Sequence, residues 1–238
     1  MDFKTYLVGG YIRDLLLKKN SNDIDISIES SYDEMIKFIE KKGKILVKNE
    51  KFGSIKTKIY GKIIDFAICR KDGFYQDHRR PDGVIKCSIY EDLSRRDFTI
   101  NAMSIPINLL ENTFEYSIEN LYDPFNGLDD LKNKIIKCVD DPKKIFIEDP
   151  LRIMRTIRFS ITLNFSLDEK IKNCLNDDNI IDYLKFLSKE RIYEELFKCF
   201  KFNTLLTLNE LEKYDKIKKF IFSNLENLWL KPTFEKKY

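Results

Sequence analysis

Residues 8–29 read VGGYIRDLLLKKNSNDIDISIE, and this stretch predicts a strand end, a glycine turn, a helix and a second strand in close succession. Residues 5–8 (TYLV) are an apolar run that ends in the glycine pair, as a short buried strand does before a turn. Residues 11–19 carry apolar side chains at helical spacing, and residues 23–29 alternate apolar and polar side chains. This succession predicts a small sheet with helices packed on it.

Two aspartates of the second strand, Asp23 and Asp25, lie two positions apart, so their side chains project from the same face. The isoleucines that alternate with them are expected to point into the core. Two close carboxylates repel each other unless a cation lies between them, and a pair of Mg²⁺ ions held by carboxylates is a known arrangement for attack at phosphorus. Taken alone, the two aspartates are better explained by a solvated strand edge.

The glycine pair, Gly9 and Gly10, favours a functional site over a solvated strand edge. A glycine turn at a helix N-terminus presents free backbone N–H groups to phosphate. Arg13, in the first turn of the predicted helix, would add a charge-assisted hydrogen bond to the same triphosphate. The alternative for Arg13 is a local surface pair with Asp14.

Further strand-like runs at residues 44–48, 54–60 and 62–68 extend the sheet, and with the intervening helix they predict an α+β arrangement. Asp65 interrupts the last of these apolar runs. A carboxylate in such a strand is costly to bury without a cation or a donor. Asp65 is therefore a candidate third metal ligand or a substrate contact.

Composition excludes several classes of protein. The chain has 238 residues with 42 basic and 39 acidic side chains, so any nucleic-acid surface must come from local patches rather than from net charge. The five cysteines form no CxxC pair and histidine occurs once, so we expect no zinc cluster. The sequence has neither an apolar run of membrane-spanning length nor a signal-peptide core, and we expect a cytoplasmic protein without a membrane partner.

The β pattern fades near residue 126, which is where we place a domain boundary. The predicted organisation is a catalytic head at 1–125, a helical neck at 126–200 and a short helical segment at 201–238. Residues 70–86 are charged and lack periodicity, so they are predicted to form a long functional loop.

Four linked motifs carry a family resemblance. VGGYIRDLLL, NDIDIS, RRDFTINAM and EDPLRIMRTIRF resemble, in order and spacing, the class II tRNA nucleotidyltransferase and bacterial poly(A) polymerase family over about residues 5–200. YQDHRRPDGVIKCSIYEDLSRRDFT is similar to the family's flexible loop, DPFNGLDDLKNKIIKCV to its head-to-neck motif, and SKERIYEELFK to the motif that braces its template helix. The resemblance implies a polymerase-β-like nucleotidyltransferase head with a small mixed sheet, followed by an all-helical neck and a short body.

The resemblance also implies roles for individual residues. It makes Asp23 and Asp25 the catalytic metal ligands. The implied nucleotide-binding residues of the head are Gly9, Gly10 and Arg13 for the triphosphate, and Arg96, Asp97 and Asn101 for the ribose and phosphates. Without the other motifs, a helix-end ion pair would explain Arg96 and Asp97 better.

The EDPLR stretch predicts how a base would be selected. Asp149 before Pro150 reads as a helix N-cap followed by proline at the first helical position, which alone explains both residues. Asp149 and Arg152 would also offer an acceptor and donors side by side to one flat ligand. Cytosine and adenine present an amino donor beside a ring-nitrogen acceptor, whereas uracil and guanine reverse that order. In the family this pair acts as the protein template for CTP and ATP.

Two further arginines, Arg155 and Arg158, continue the basic stripe of the predicted helix. They are candidate phosphate contacts, and ordinary surface arginines explain them equally well. In the loop at 70–86, Arg79 and Arg80 are candidate contacts for a switch from C to A addition.

The function that the resemblance implies is transfer of C and/or A from CTP or ATP to the 3′ end of tRNA, with Mg²⁺ as cofactor and pyrophosphate as leaving group. A CC-adding or A-adding specialist and a poly(A) polymerase are alternatives within this class. An inactive RNA-binding protein and a nucleotidyltransferase that modifies protein are alternatives from other classes. Residues 201–238 are much shorter than the further helical domains of the family. A homodimer, or a partner chain that supplies tRNA-binding domains, is therefore a further hypothesis.

Overall fold

The computed structural model describes residues 3–72, 84–110 and 113–222. The chain divides into two compact units, Met1–Asp140 and Asp141–Tyr238. Among the described residues, no helix is both long enough and apolar enough to cross a bilayer.

The first unit is built on a seven-stranded sheet with the strand order β3-β4-β5-β2-β1-β8-β9. Strands β6 and β7 form a separate antiparallel pair. The strands of this unit are β1 (Thr5–Val8), β2 (Ile24–Ile28), β3 (Lys44–Asn49), β4 (Ser54–Ile59), β5 (Lys62–Ile68), β6 (Arg70–Asp72), β7 (Val84–Lys86), β8 (Ser104–Leu109), β9 (Phe114–Tyr116) and β10 (Ile135–Ile136). The mixed helix and sheet architecture predicted from the sequence is confirmed.

In the described part of the first unit, four α-helices accompany the sheet. They are α1 (Gly10–Leu16), α2 (Tyr32–Glu40), α3 (Ile89–Ser94) and α4 (Gly127–Asn133). Helix α2 begins with a capping box in which Ser31 and Glu34 satisfy each other's backbone N–H groups. The buried face of this helix joins a core cluster with the isoleucines of β2 and the apolar side chains of β4 and β5.

The two faces of the sheet differ in what covers them. Ile24, Ile26 and Ile28 of β2 are each no more than 5% exposed and belong to the core on the α2 side. The alternate residue Ser27 points to the other face, where its hydroxyl donates to Asp92 of α3. Helix α3 therefore covers one part of this second face, and the remaining part carries the exposed side chains of β4 and β5.

Residues 126–140 belong to the first unit rather than to the helical region predicted to begin at 126. The backbone N–H of Thr99 donates to the carbonyl of Lys137 at 2.9 Å, and Phe98 forms an isolated bridge with Cys138. A Cβ at Gly127 would lie 2.2 Å from the carbonyl oxygen of Thr99, so only glycine allows this close approach. These contacts hold residues 126–140 to the first unit, so the division between the two units falls after Asp140.

Over its described residues, 141–222, the second unit is almost entirely helical. Its elements are α5 (Pro142–Glu148), α6 (Leu151–Leu163), β11 (Ser166–Leu167), α7 (Glu169–Leu175), α8 (Asp178–Ile181), α9 (Lys189–Phe202), α10 (Thr204–Leu211) and α11 (Asp215–Ile221). Helix α6 buries Ile153, Ile157 and Ile161, which recur at a spacing of four residues and form its core-facing stripe.

Candidate active site

Three carboxylates converge on the open part of the sheet. Asp25 of β2 lies opposite Asp65 of β5 in the parallel register of these strands, and Asp23 immediately precedes β2. One carboxylate oxygen from each of Asp23, Asp25 and Asp65 lies within 4.8 Å of the other two. The prediction that Asp23 and Asp25 share one face agrees with this geometry, and Asp65, the candidate third ligand, joins them.

The electrostatics of this cluster favour a cation. Burial, and next the neighbouring charge of Asp23, raise the pKa of Asp25 to about 6, although Arg96 acts in the opposite direction. Carboxylate oxygens are the donors that hard divalent cations such as Mg²⁺ prefer. The donor set of these three residues therefore fits a divalent metal.

Lys56 of β4 is a neighbour of this cluster that the sequence analysis did not single out. Its Nζ donates to Oδ2 of Asp65 at 2.6 Å, and both side chains are partly exposed. Strands β4 and β5 pair Lys56 directly with Asp65, so the contact follows from the register. The ammonium group offsets part of the negative charge that the three carboxylates bring together.

Gly9 brings the backbone close to the carboxylate site. Its φ of +72° is in the region that favours glycine, and a Cβ there would lie 3.0 Å from Nη1 of Arg96 and 3.5 Å from Oδ2 of Asp25. The guanidinium of Arg96 thus lies beside both residues. Its Nε is buried and has no hydrogen-bond partner in the described part of the chain. A buried donor without a partner beside three carboxylates whose geometry fits a divalent cation is suited to an anionic ligand.

Asp92, which the sequence analysis did not assign, holds Arg96 in place. Its carboxylate is fully buried and accepts from Arg96 at 2.9 Å, from Arg95 at 2.7 Å and from the hydroxyl of Ser27 at 3.2 Å. Burial would raise the pKa of Asp92, but the two arginines outweigh it and hold that pKa well below its usual range. Arg95 and Arg96 follow Asp92 by three and four residues, the spacing at which side chains on a helix meet. The sequence therefore did contain a signal for these two ion pairs.

Arg13, Asn101 and Asp97 form a buried polar chain. The guanidinium of Arg13 donates to Asp14 at 2.8 and 2.9 Å and to Oδ1 of Asn101 at 2.8 Å. Nδ2 of Asn101 donates to Oδ1 of Asp97 at 3.1 Å. The alternative of a surface pair between Arg13 and Asp14 describes only half of this arrangement, because Arg13 is 9% exposed and also reaches Asn101. Gly10 allows the guanidinium of Arg13 to lie close to the backbone, since a Cβ at Gly10 would lie 3.3 Å from Nη2 of Arg13.

In the second unit, Asp149 caps helix α6 one position earlier than a strict N-cap. Its carboxylate accepts from the backbone N–H of Leu151 at 3.2 Å, and Pro150 stands at the N-cap itself. Both carboxylate oxygens also accept from Nη2 of Arg191 at 3.4 Å. Nη1 of Arg191 is buried without a hydrogen-bond partner among the described residues. The motif expected to brace the template helix therefore contributes Arg191 directly to Asp149.

Arg152 follows Asp149 by one helical turn and is 7% exposed. Its Nη1 donates to the carbonyl of Ile145 at 3.3 Å and to Glu148 at 3.4 Å, both on helix α5. Asp149 and Arg152 thus lie at the junction of α5 and α6, each held by further partners. Their predicted role toward a base remains a prediction.

Arg158 and Arg155 lie further along helix α6, around the ring of Phe159. Nε of Arg158 donates to Glu195 of α9 at 2.5 Å, and its guanidinium carbon lies 4.1 Å from the centroid of Phe159. The guanidinium carbon of Arg155 lies 5.3 Å from the same centroid. Arg158 is therefore a bridge between α6 and α9, and contact with phosphate stays a prediction for both arginines. The predicted contacts Arg79 and Arg80 lie outside the described residues.

Comparison with known proteins places these features in a family. Residues 5–137 match the family model of the poly A polymerase head domain. The chain is 40% identical over 197 residues to the CCA-adding enzyme of Lactobacillus helveticus, covering 82% of this chain and 46% of that protein. The chain therefore spans about half the length of the curated relatives it matches.

Solved structures agree with the sequence matches. One is the Bacillus stearothermophilus CCA-adding enzyme in complex with CTP, with a TM-score of 0.72 and 28% identity over 88% of this chain and 47% of that one. Another is a tRNA nucleotidyltransferase complexed with a primer tRNA and an incoming ATP analog, with a TM-score of 0.73 and 32% identity over 96% of this chain and 61% of that one. Since the head-domain match covers more than half of the sequence, the chain belongs to the poly A polymerase head domain family.

Proposed function

We propose that this protein is a metal-dependent RNA nucleotidyltransferase that adds C and A from CTP and ATP to the 3′ end of tRNA. The observation that carries the proposal is the convergence of Asp23, Asp25 and Asp65 within 4.8 Å beside the guanidinium of Arg96. The relatives solved with CTP, with an ATP analog and with tRNA support the choice of substrates.

The first unit would provide the chemistry of transfer. Asp23, Asp25 and Asp65 would hold the divalent metal, which we propose to be Mg²⁺ because the donors are all carboxylate oxygens. Bound there, the metal would acidify the 3′-hydroxyl of the RNA and stabilise charge on the phosphates. Arg96 would bind phosphate through its unpartnered Nε, and Gly9 leaves room for this approach.

The buried polar chain of the same unit suits the ribose and the triphosphate. Asn101 and Asp97 would orient the sugar hydroxyls, because a carboxylate accepts from a hydroxyl and an amide does both. Arg13, already oriented by Asp14 and Asn101, would bind phosphate with Gly10.

The second unit would select the base. The carboxylate of Asp149 would accept from the amino group of cytosine or adenine, and Arg152 would donate to the adjacent ring nitrogen. Uracil and guanine would leave both groups unpaired, at a cost of about 1–3 kcal/mol each. Arg191, which donates to both carboxylate oxygens of Asp149, would hold that carboxylate in its orientation. Arg155 and Arg158 would support binding nearby on the same helix.

A cytoplasmic location belongs to the same proposal, since tRNA maturation needs CTP, ATP and tRNA together. The proposal is tested by incubating the purified chain with Mg²⁺, labelled CTP or ATP, and a tRNA transcript that lacks its 3′ CCA. Label in the RNA that disappears with a metal chelator supports it. Label in protein would favour the protein-modifying alternative, and an unlabelled RNA would favour the RNA-binding alternative.

A further inference from the structure

The open face of the sheet continues beyond the carboxylates to a pair of opposed lysines. Lys58 of β4 lies two residues from Lys56 and therefore projects from the same face. The antiparallel register pairs Lys58 with Lys44 of β3. By strand geometry, the Cα atoms of Lys58 and Lys44 lie about 8 Å and about 12 Å from that of Asp65. The two lysines are thus anchored on the same face as the proposed site of transfer and close to it.

This pairing of like charges is unfavourable on its own. Lysines directly opposite each other across two strands destabilise a sheet. The open-face positions of β3 and β4 carry no carboxylate, and neither lysine has an ion-pair partner among the described residues. By contrast, Lys56 is neutralised by Asp65 at 2.6 Å. Two adjacent ammonium groups without a counterion form a site suited to an anion.

Protection of a sheet edge does not account for both lysines. Lysine on an edge strand discourages pairing with another chain, and this explains Lys44 on β3. Lys58 lies on β4, which is paired on both sides and has no free edge. Beside the lysines, Val47 and Ile63 are 56% and 44% exposed on the same face. The surface combines positive charge with apolar side chains, as surfaces that bind a nucleic-acid strand do.

We propose that Lys44 and Lys58 form a phosphate-binding track for the RNA strand whose 3′ end is extended at Asp23, Asp25 and Asp65. This inference rests on the proposed function and names the part of the sheet that the RNA follows. When the terminal hydroxyl of an RNA strand lies at the carboxylates, each preceding nucleotide of that RNA places one phosphate nearby. The two lysines would contact the phosphates nearest to the end, with no preference for sequence.

The test compares the double variant Lys44→Gln and Lys58→Gln with the control Lys37→Gln and Lys41→Gln. The control removes the same charge from two exposed lysines, Lys37 on α2 and Lys41 at its C-cap, and α2 packs on the opposite face of the sheet. Binding of a tRNA transcript lacking CCA is measured by fluorescence anisotropy at several salt concentrations, without nucleotide. We expect the first variant to bind RNA about tenfold more weakly and to lower the salt slope by about 1.5, while the control is unchanged.

Equal RNA binding by both double variants would overturn the inference, and so would an absence of RNA binding by the wild-type chain. A KM for CTP that rises as much as the KM for RNA would also contradict it, since the track should act on RNA alone. The variant Lys58→Arg, which keeps the charge, should bind as the wild type does and separates loss of charge from loss of folding. Nucleotide addition by the wild type is assayed in parallel, so that its absence marks failure of the proposed function rather than of the lysine track.

Discussion

The carboxylate of Asp92 accepts from the guanidinium of Arg96 at 2.9 Å, and this buried ion pair holds Arg96 beside Gly9 and Asp25. The same carboxylate accepts from Ser27 of β2 and from Arg95. One fully buried charge therefore links helix α3 to the strand that carries Asp25. The position of Arg96 relative to Asp23, Asp25 and Asp65 depends on a residue that lies outside this group of three carboxylates.

Replacement of Asp92 by Asn should destabilise the first unit. The change leaves two arginines without their buried counterion, and breaking such a pair costs about 3 kcal/mol. Urea unfolding at pH 7 measures this loss. The control Asp129→Asn, at an exposed pair with Lys132, should change the free energy of unfolding by less than about 0.5 kcal/mol. Similar values for both variants would show that the ion pairs of Asp92 contribute little.

Replacement of Asp25 by Asn should abolish nucleotide transfer and make the metal-free protein more stable. The folded protein disfavours the ionised carboxylate, because burial and next Asp23 raise its pKa to about 6. At pH 8 the carboxylate is charged in both states, so its removal should stabilise the fold by about 3 kcal/mol. Thermal unfolding in a chelator measures the gain. A lower melting temperature, or transfer at the wild-type rate, would contradict the assignment.

The pair between Arg158 and Glu195 should make the stability of the second unit depend on pH. Burial opposes ionisation of Glu195, but Arg158 and Arg155 outweigh it and hold its pKa below the ordinary value. For a lowered pKa, the stabilisation is present above the unfolded pKa of about 4.3 and is lost as the pH falls through the folded pKa. The wild type should therefore exceed Glu195→Gln in stability most at pH 7 and least near pH 3. A difference independent of pH would argue against this contribution.

Replacement of Arg152 by Ala should relax the choice of nucleotide more than it slows transfer. Without the guanidinium, the discrimination of about 1–3 kcal/mol against UTP and GTP that it provides is lost. Competition between the four nucleoside triphosphates, with sequencing of the RNA ends, measures the change. Lys170→Ala on α7 is the control and should keep the wild-type preference. If Arg152→Ala also keeps it, Arg152 does not select the base.

The carboxylate site could be predicted largely from local patterns. Alternation in the strand placed Asp23 and Asp25 on one face, and an acidic residue in an apolar strand drew attention to Asp65. The parallel pairing that sets Asp65 opposite Asp25 joins distant segments, and local periodicity does not specify it. Lys56 was missed for the same reason, since its contact with Asp65 depends on the register of β4 with β5.

Long-range contacts also explain what was missed elsewhere. The helical spacing of Asp92 and Arg96 was visible in the sequence. The burial of Asp92 and its hydrogen bond from Ser27 were not. Residues 126–140 read as helical from position 126, yet hydrogen bonds to Thr99 and the close approach of Gly127 keep them in the first unit. Such contacts depend on which segments meet, which a pattern of residue types along the chain does not encode.

The most direct test of the central claim uses three tRNA transcripts, ending before CCA, after C and after CC. Each is incubated with the purified chain and Mg²⁺, first with single nucleoside triphosphates and then with CTP and ATP together, and the RNA ends are sequenced. We predict that two C residues and then one A are added in order, and that UTP and GTP are refused. Transfer without this choice of base, or no transfer to any of the three transcripts, would contradict it.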